Sequence, residues 1–483
     1  MVLRNIFFLL LAALPLGQLV AQGVAPNPLA LARVDSLIRA SEESGVARYS
    51  FAVQDVSQDT LWAAYRPEEM CTPASITKLF TAATALESLG ADYSFCTELY
   101  MEGELKSGVL YGNLLVIGSG DPSIDSKFFE QDKERWQQSV LQTVQAKGIR
   151  RIEGNIVIDA SRFERMGIHP RWAPDDRGDY YAAGVYGFNL YDNWLDLYFA
   201  TGGVKDSIRL VGTYPKGVQL TLDNRLKVNC KTQGWEGDGI NLVEHRTLLG
   251  TLPCNRESVR VAIDLPHPPL HAARLLRATL EGQGVEILGQ EEARFESSSH
   301  PRTLIGRYYS PSLRDLCREM NYRSLNHYAE ALFKALVKEN GATSNAAWLR
   351  EQEILRNWGV TLSPKAHLYD GSGLTRANRL SAQDMVALLV GVSTKARGNT
   401  LDAFAQSLPR VGREGTVKSF MPGTSLKLYC KSGSMRGVQT YAGYLYYQRR
   451  VYAIALLANG CANRAKVRGV MQQYIEGLFP PKF

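Results

Sequence analysis

The chain has 483 residues, 45% of them hydrophobic, 21% charged and 10% aromatic. That is too long for one compact core and too apolar for a disordered chain, so two or three domains are expected. The formal net charge of +7 is dispersed with no long basic block, which argues against a nucleic-acid partner.

Residues 1–21 have the pattern of a secretory signal: Arg4, an apolar run from Ile6 to Leu16, and Leu19-Val20-Ala21 before a cleavage expected after Ala21. No cysteine lies close to that cut, and no other run approaches the ~20 apolar residues of a membrane span. The mature protein is therefore expected to be exported to the periplasm, soluble or loosely membrane-associated. Export permits disulfides. Of Cys71, Cys96, Cys230, Cys254, Cys317, Cys430 and Cys461, Cys230 with Cys254 is the expected pair, and the odd count leaves at least one thiol over. No C-x-x-C pair occurs, and no metal or other cofactor is read from the sequence. His267 and His271 are four apart, but Pro268-Pro269 between them is expected to forbid a regular helix, so no metal site is read there.

In chain order, Leu29 to Ala40 has helical spacing. Tyr49 to Val56 and Thr60 to Tyr65 read as a hairpin around Ser57-Gln58-Asp59. Leu79 to Leu89, rich in Ala, Leu and Phe, reads as a buried helix announced by Pro73 and stopped by Gly90. Residues 90–299 change character to short strands and turns, among them Asn113 to Gly118 and Gly154 to Asp159, with one helix-like segment near 127–147. Helices return at Leu313 to Met320, break at Asn321-Tyr322-Arg323, resume to about Lys338, and run again from Asn345 to Trp358. Leu426 to Lys431, Val438 to Tyr447 and Val451 to Ala458 are expected strands, and Arg464 to Leu478 a closing helix. The fold class is α+β. An antiparallel sheet flanked by helices is built from 22–89 and 300–483, interrupted by a β-rich insertion at 90–299 that is expected to form two small nested domains.

Three short motifs carry the chemistry. Ser75-Ile76-Thr77-Lys78 stands at the start of a helix, where i and i+3 share a face. Ser324-Leu325-Asn326 follows far downstream, and Lys431-Ser432-Gly433-Ser434 stands on a strand. An S-x-x-K pair alone is more often a capping serine and a surface lysine. All three motifs in this order match the triplet of penicillin-recognising serine enzymes. Cleaving an amide through an acyl-serine needs a nucleophile, a base, a proton donor and an oxyanion site. Ser75 is the expected nucleophile and Lys78 its base. Ser324 is the expected relay to the leaving amine, and Asn326 would hold Lys78 and the substrate amide. Lys431 and Ser432 would bind a terminal carboxylate, and the N–H groups of Ser75 and Ser434 would face the oxyanion.

Beyond the triplet, the chain resembles the penicillin-binding protein 4 type of D-alanyl-D-alanine carboxypeptidase/endopeptidase, the S13 peptidases. The resemblance rests on Pro73 to Ala83, Gly154 to Asp159, Asp370-Gly371-Ser372-Gly373-Leu374-Thr375-Arg376 and Lys431 to Ser434 with Gly437-Val438, and covers about residues 30–480. It implies a β-lactamase-like catalytic domain interrupted by the insertion. It also implies hydrolysis of terminal D-Ala from peptidoglycan stem peptides or of their cross-links, and acylation by β-lactams as inhibitors. Asp159 and Arg376 are implied in a pocket for the diamino-acid side chain. The chain departs from the pattern at Leu325, where Asp is usual and whose side chain should point away; at Ser432, which keeps a hydroxyl; and at Arg436, a position often uncharged. Two rivals remain: a β-lactamase, disfavoured by the length of the insertion, and a non-catalytic wall-binding protein of the same fold.

Overall fold

The structure, a computed structural model, describes residues 26–480 except 130–134, 205, 219, 236–238 and 241–244. The expected signal segment lies outside the described residues. A five-stranded antiparallel sheet joins the two ends of the chain, in the order Lys427–Met435, Val438–Tyr447, Arg450–Asn459, Arg48–Asp55, Ala63–Tyr65. Residues far apart in sequence thus meet in one sheet, with Phe51 opposite Leu456. Alternation gives the sheet two buried faces. Tyr49, Phe51 and Val53 point into a core with Met471 and Tyr474 of the closing helix Arg464–Leu478. Ala52, Ala442 and Ala455 point to the other side, where small residues let helices lie close.

On that second side the buried helix Lys78–Leu89 packs against helices Leu313–Arg323, Asn326–Ala335, Ser344–Asn357 and Thr400–Gln406, while helix Ala382–Lys395 lies on the sheet. Ala382–Lys395 starts with a capping box between Ser381 and Asp384, a signal present in the sequence but not read from it.

The inserted region contributes a seven-stranded mixed sheet, including Cys96–Lys106, Val109–Ile117, Ile156–Asp159 and Thr303–Tyr309, covered by helices Arg135–Ala146 and Pro268–Glu281. Thr303–Tyr309, beyond the expected boundary at 299, pairs with Cys96–Lys106, so the return to the catalytic helices falls near Ser310. A smaller unit holds the sheet Arg256–Asp264, Trp194–Thr201, Arg209–Tyr214 and the expected Cys230–Cys254 disulfide. The expectation for Pro268-Pro269 fails. The two prolines occupy the first positions of helix Pro268–Glu281 with His267 as N-cap; a missing N–H costs nothing there, because first-turn amides have no intrahelical partner.

One buried acid beside helix Lys78–Leu89 should make stability depend on pH. Glu351 is fully buried, and its Oε1 accepts from Thr84 Oγ1 at 3.0 Å while Oε2 has no partner. Burial, against that one hydrogen bond, raises its pKa to about 8. A raised acid gives stability that is complete below its unfolded value and lost as pH rises through about 8. Glu351→Gln is expected to narrow the difference in melting temperature between pH 5.5 and pH 8.5, removing a cost on the order of a few kcal/mol at the alkaline end. Thermal denaturation of both proteins at the two pH values checks this; an unchanged difference rejects it.

Candidate active site

Ser75 lies in a 3₁₀ turn, Ala74–Thr77, that runs straight into helix Lys78–Leu89. Residues three apart eclipse in such a turn, which brings Lys78 Nζ to 3.1 Å from Ser75 Oγ. Lys78 is fully buried. Its ammonium also donates to Asn326 Oδ1 and to the Ser372 carbonyl, each at 2.7 Å, so all three of its donors have acceptors. Burial drives its pKa down to about 7, against the opposing charges of Asp370 and Glu330. A lysine so placed can surrender and take back a proton near neutral pH.

The break between helices does not fall at Asn321-Tyr322-Arg323. Helix Leu313–Arg323 runs through those residues, with Asn321 fully buried. The chain turns instead at Ser324, in the left-handed region at φ 61°, ψ 41°. A non-glycine residue held there costs on the order of 1–3 kcal/mol and is commonest at functional sites. The turn sets Ser324 Oγ 2.9 Å from Lys431 Nζ, which donates to it. Leu325 is packed in the core, so its side chain points away from the cleft. Asn326 opens the next helix and donates from Nδ2 to the Tyr181 carbonyl of the inserted region at 2.7 Å.

The third wall is the edge strand Lys427–Met435. Lys431 is fully buried, and burial together with the neighbouring Lys78 charge drives its pKa well below the usual lysine range. It also donates to the Ser432 carbonyl at 2.6 Å. Ser432 Oγ donates to Thr416 Oγ1 at 2.7 Å. Gly433 lies against the nucleophile turn: a β-carbon there would sit 2.8 Å from the Pro73 carbonyl oxygen and 2.9 Å from Ser75 N. Thr440 on the neighbouring strand ties the same turn down by donating to the Pro73 carbonyl at 2.8 Å. Ser434 is exposed on the strand just beyond Gly433.

Ser75, Lys78, Ser324, Asn326, Lys431, Ser432, Gly433 and Ser434 are thus brought to one cleft. Arg376 is exposed and donates from Nη1 to the Arg436 carbonyl, just beyond the Lys431–Ser434 run, at 2.9 Å. Asp159 makes no contact with this group. It is buried at the end of Ile156–Asp159, and its Oδ1 accepts from Ser161 N at 2.8 Å, as a strand-end turn residue does. Cys71 and Cys430 are buried thiols. Burial pushes Cys71 up to about 12 and raises Cys430 as well, which makes both packing residues.

Several site residues went unassigned from sequence. Asp370 is fully buried and organises its loop, accepting from Gly373 N, Thr375 N, Asn378 Nδ2 and, across the junction, Trp172 Nε1. Glu330 accepts from Ser372 N at 2.8 Å. Its signal was available: Glu330 stands four residues after Asn326, on the same face of one helix. Thr416 and Tyr181 gave none, since their contacts are made by backbone or by a distant loop.

Residues 30–477 match the D-Ala-D-Ala carboxypeptidase 3 (S13) family. The D-alanyl-D-alanine carboxypeptidase of Actinomadura sp. (strain R39) is 28% identical over 421 residues, 81% of this chain and 74% of that protein. The crystal structure of penicillin binding protein 4 from Haemophilus influenzae superposes with a TM-score of 0.79 at 21% identity, covering 92% of this chain and 98% of that one. The same Haemophilus influenzae protein in complex with a β-lactam superposes at 0.76, with 21% identity and coverage of 92% and 99%. This is the α+β fold expected from the sequence.

Proposed function

The chain belongs to the D-Ala-D-Ala carboxypeptidase 3 (S13) family and is a serine-type DD-peptidase, and we propose that it works through an acyl-serine formed at Ser75. The observation that carries this reading is the fully buried Lys78 ammonium, 3.1 Å from Ser75 Oγ. In its neutral form Lys78 accepts the Ser75 proton as Oγ attacks the carbonyl carbon of a D-Ala residue. The oxyanion faces the N–H groups of Ser75 and Ser434. Ser324, hydrogen-bonded to Lys431, passes a proton to the departing amine and is replenished with the proton that Lys78 took from Ser75, which leaves Lys78 neutral again. Water then attacks the ester with Lys78 again as base, releasing the peptide and restoring Ser75.

Lys431 and Ser432 are suited to a substrate's terminal carboxylate. An arriving anion would raise the proton affinity of Lys431, opposing the burial that lowers it. Stem peptides of peptidoglycan offer such a carboxylate after D-Ala, and a β-lactam presents one beside a strained amide. Both carboxypeptidase and endopeptidase cleavage fit this chemistry, since they differ only in the amine that leaves. Export to the wall compartment fits the sequence of residues 1–21; no described helix is long and apolar enough to cross a membrane.

The test is intact mass after mixing the chain from residue 22 with a penicillin. One long-lived adduct per chain is expected, lost in Ser75→Ala. Rapid clearance of the adduct with consumption of the drug would make the protein a β-lactamase. No adduct on folded protein would strip Ser75 and Lys78 of these roles.

A further inference from the structure

Helix Asn326–Ala335 presents more to the site than Asn326. Asn326, Glu330 and Lys334 are spaced four apart, so they stand above one another on one face. Glu330 and Lys334 are both buried, and charged side chains are rarely buried unless something pairs with them or uses them. The Glu330 carboxylate sits under the Gly371–Ser372 backbone. Its Oε1 accepts from Ser372 N at 2.8 Å and its Oε2 from Gly371 N at 3.4 Å. The carbonyl of that same Ser372 is the one Lys78 Nζ holds at 2.7 Å. One turn further on, Lys334 Nζ lies 3.1 Å from Glu164 Oε1 of the inserted region. Charges therefore alternate from the cleft outward: Lys78, Glu330, Lys334, Glu164.

We propose that Glu330 is a positioning residue for acylation: it fixes the Ser372 carbonyl on Lys78 and, with Lys334 as its counter-charge, sets the proton affinity of that amine. The proposal rests on the reading of Lys78 as base. A lone hydrogen-bond acceptor for two backbone N–H groups need not be charged, and a glutamine or serine would serve. A carboxylate at this place does something more. When Lys78 takes the Ser75 proton it becomes an ammonium in a dry site, and a buried anion nearby favours that charge. The groups that face Glu330 and Lys78 are Asp370 from the loop after Tyr369, Lys334 from the helix that carries Glu330, and Lys431 from the edge strand. His169 and Glu164 of the inserted region act at one remove, through Asp370 and Lys334. Burial raises the Glu330 pKa to about 7, with Asp370 adding to the rise and the Ser372 hydrogen bond and Lys334 opposing it, and Glu330 with Asp370 in turn raises the proton affinity of Lys78.

The inserted region thereby enters the electrostatics of the site. Glu164 balances Lys334, and Trp172 donates to Asp370 at 2.9 Å. Asp370 is thus bonded directly to the inserted region, and Glu330 is linked to it through Lys334.

The experiment is the second-order rate of acylation by a penicillin across pH 5 to 9, for the wild type, Glu330→Gln and Lys334→Gln. Removing the anion makes Lys78 a weaker base. Glu330→Gln should move the acid limb of the profile down by about one pH unit and lower the alkaline plateau about tenfold. Removing the cation raises every nearby proton affinity, so Lys334→Gln should move the limb up. Shifts of opposite sign support the proposal. A plateau that falls with both limbs unmoved makes Glu330 a structural acceptor and overturns it, as do shifts of the same sign. If Glu330→Gln does not fold, the direction of the Lys334→Gln limb decides alone. A wild type that forms no adduct would instead defeat the reading of Ser75 and Lys78.

Discussion

Acylation of Ser75 should rise about tenfold per pH unit below neutrality and level off above about pH 7, and Lys78→Ala should lower the plateau by a factor on the order of 10³. The sign follows from which form of Lys78 reacts. A base must be unprotonated, and burial holds the Lys78 pKa near 7, so the neutral amine is the minority form at pH 6 and the majority at pH 8. An exposed lysine would keep its proton through that whole range. Lys78→Ala removes the base, and it also leaves Asn326 Oδ1 and the Ser372 carbonyl without their shared donor, which costs stability as well as rate. Lys78→Arg separates the two effects. It restores a cation that can fill those bonds but does not give up a proton, so folding should recover while acylation stays low. The rate of penicilloyl adduct formation against pH measures all three proteins. A flat profile from pH 6 to 8 in the wild type would mean that Lys78 is not the titrating base.

The chemistry was legible in the sequence because each part of it is local. A serine and a lysine three apart before an Ala-rich helix, and a Lys-Ser-Gly-Ser run on a strand, state their own geometry. The sheet was legible too, since Val438 to Tyr447 and Val451 to Ala458 read as strands joined by a short turn, and the structure pairs them residue for residue. What could not be read depends on partners far away. Asp159 is one such case: its Oδ1 accepts from Ser161 N at the end of an inserted strand, and only the three-dimensional path of the insertion decides which groups it meets. Ser324 is itself the break, not the residue after it, because the helix before it buries Asn321 and so outlasts its polar sequence. The prolines at 268 and 269 were read as breakers when position makes them starters. Glu330 and Lys334 were hidden among the buried residues of an apolar-looking helix, where tertiary contact with the loop at Ser372 gives them their meaning.

Gly433→Ala should cut acylation about a hundredfold while leaving a folded protein, because the nucleophile turn and the edge strand approach each other at this residue with no room for a methyl group. The strand demands space here and not an unusual backbone angle. A β-carbon at Gly433 would lie 2.2 Å from Thr440 Oγ1, 2.8 Å from the Pro73 carbonyl oxygen and 2.9 Å from Ser75 N. Contacts that short force a shift, and overpacking of this kind costs about 1–3 kcal/mol. Two of the three neighbours are backbone atoms of the turn that carries Ser75, so the displacement falls on the nucleophile and on the N–H proposed to face the oxyanion. The third neighbour is a side chain, and it offers a way to divide stability from rate. Thr440→Ala in the Gly433→Ala background removes the closest clash, together with the hydrogen bond from Thr440 to Pro73. Melting temperature should recover in part. The acylation rate should not, since the contacts with Pro73 and Ser75 remain. Recovery of both would show that Thr440, and not the nucleophile turn, is what Gly433 makes room for. A Gly433→Ala enzyme that acylates at the wild-type rate would mean that the strand and the turn do not need their close approach for the reaction.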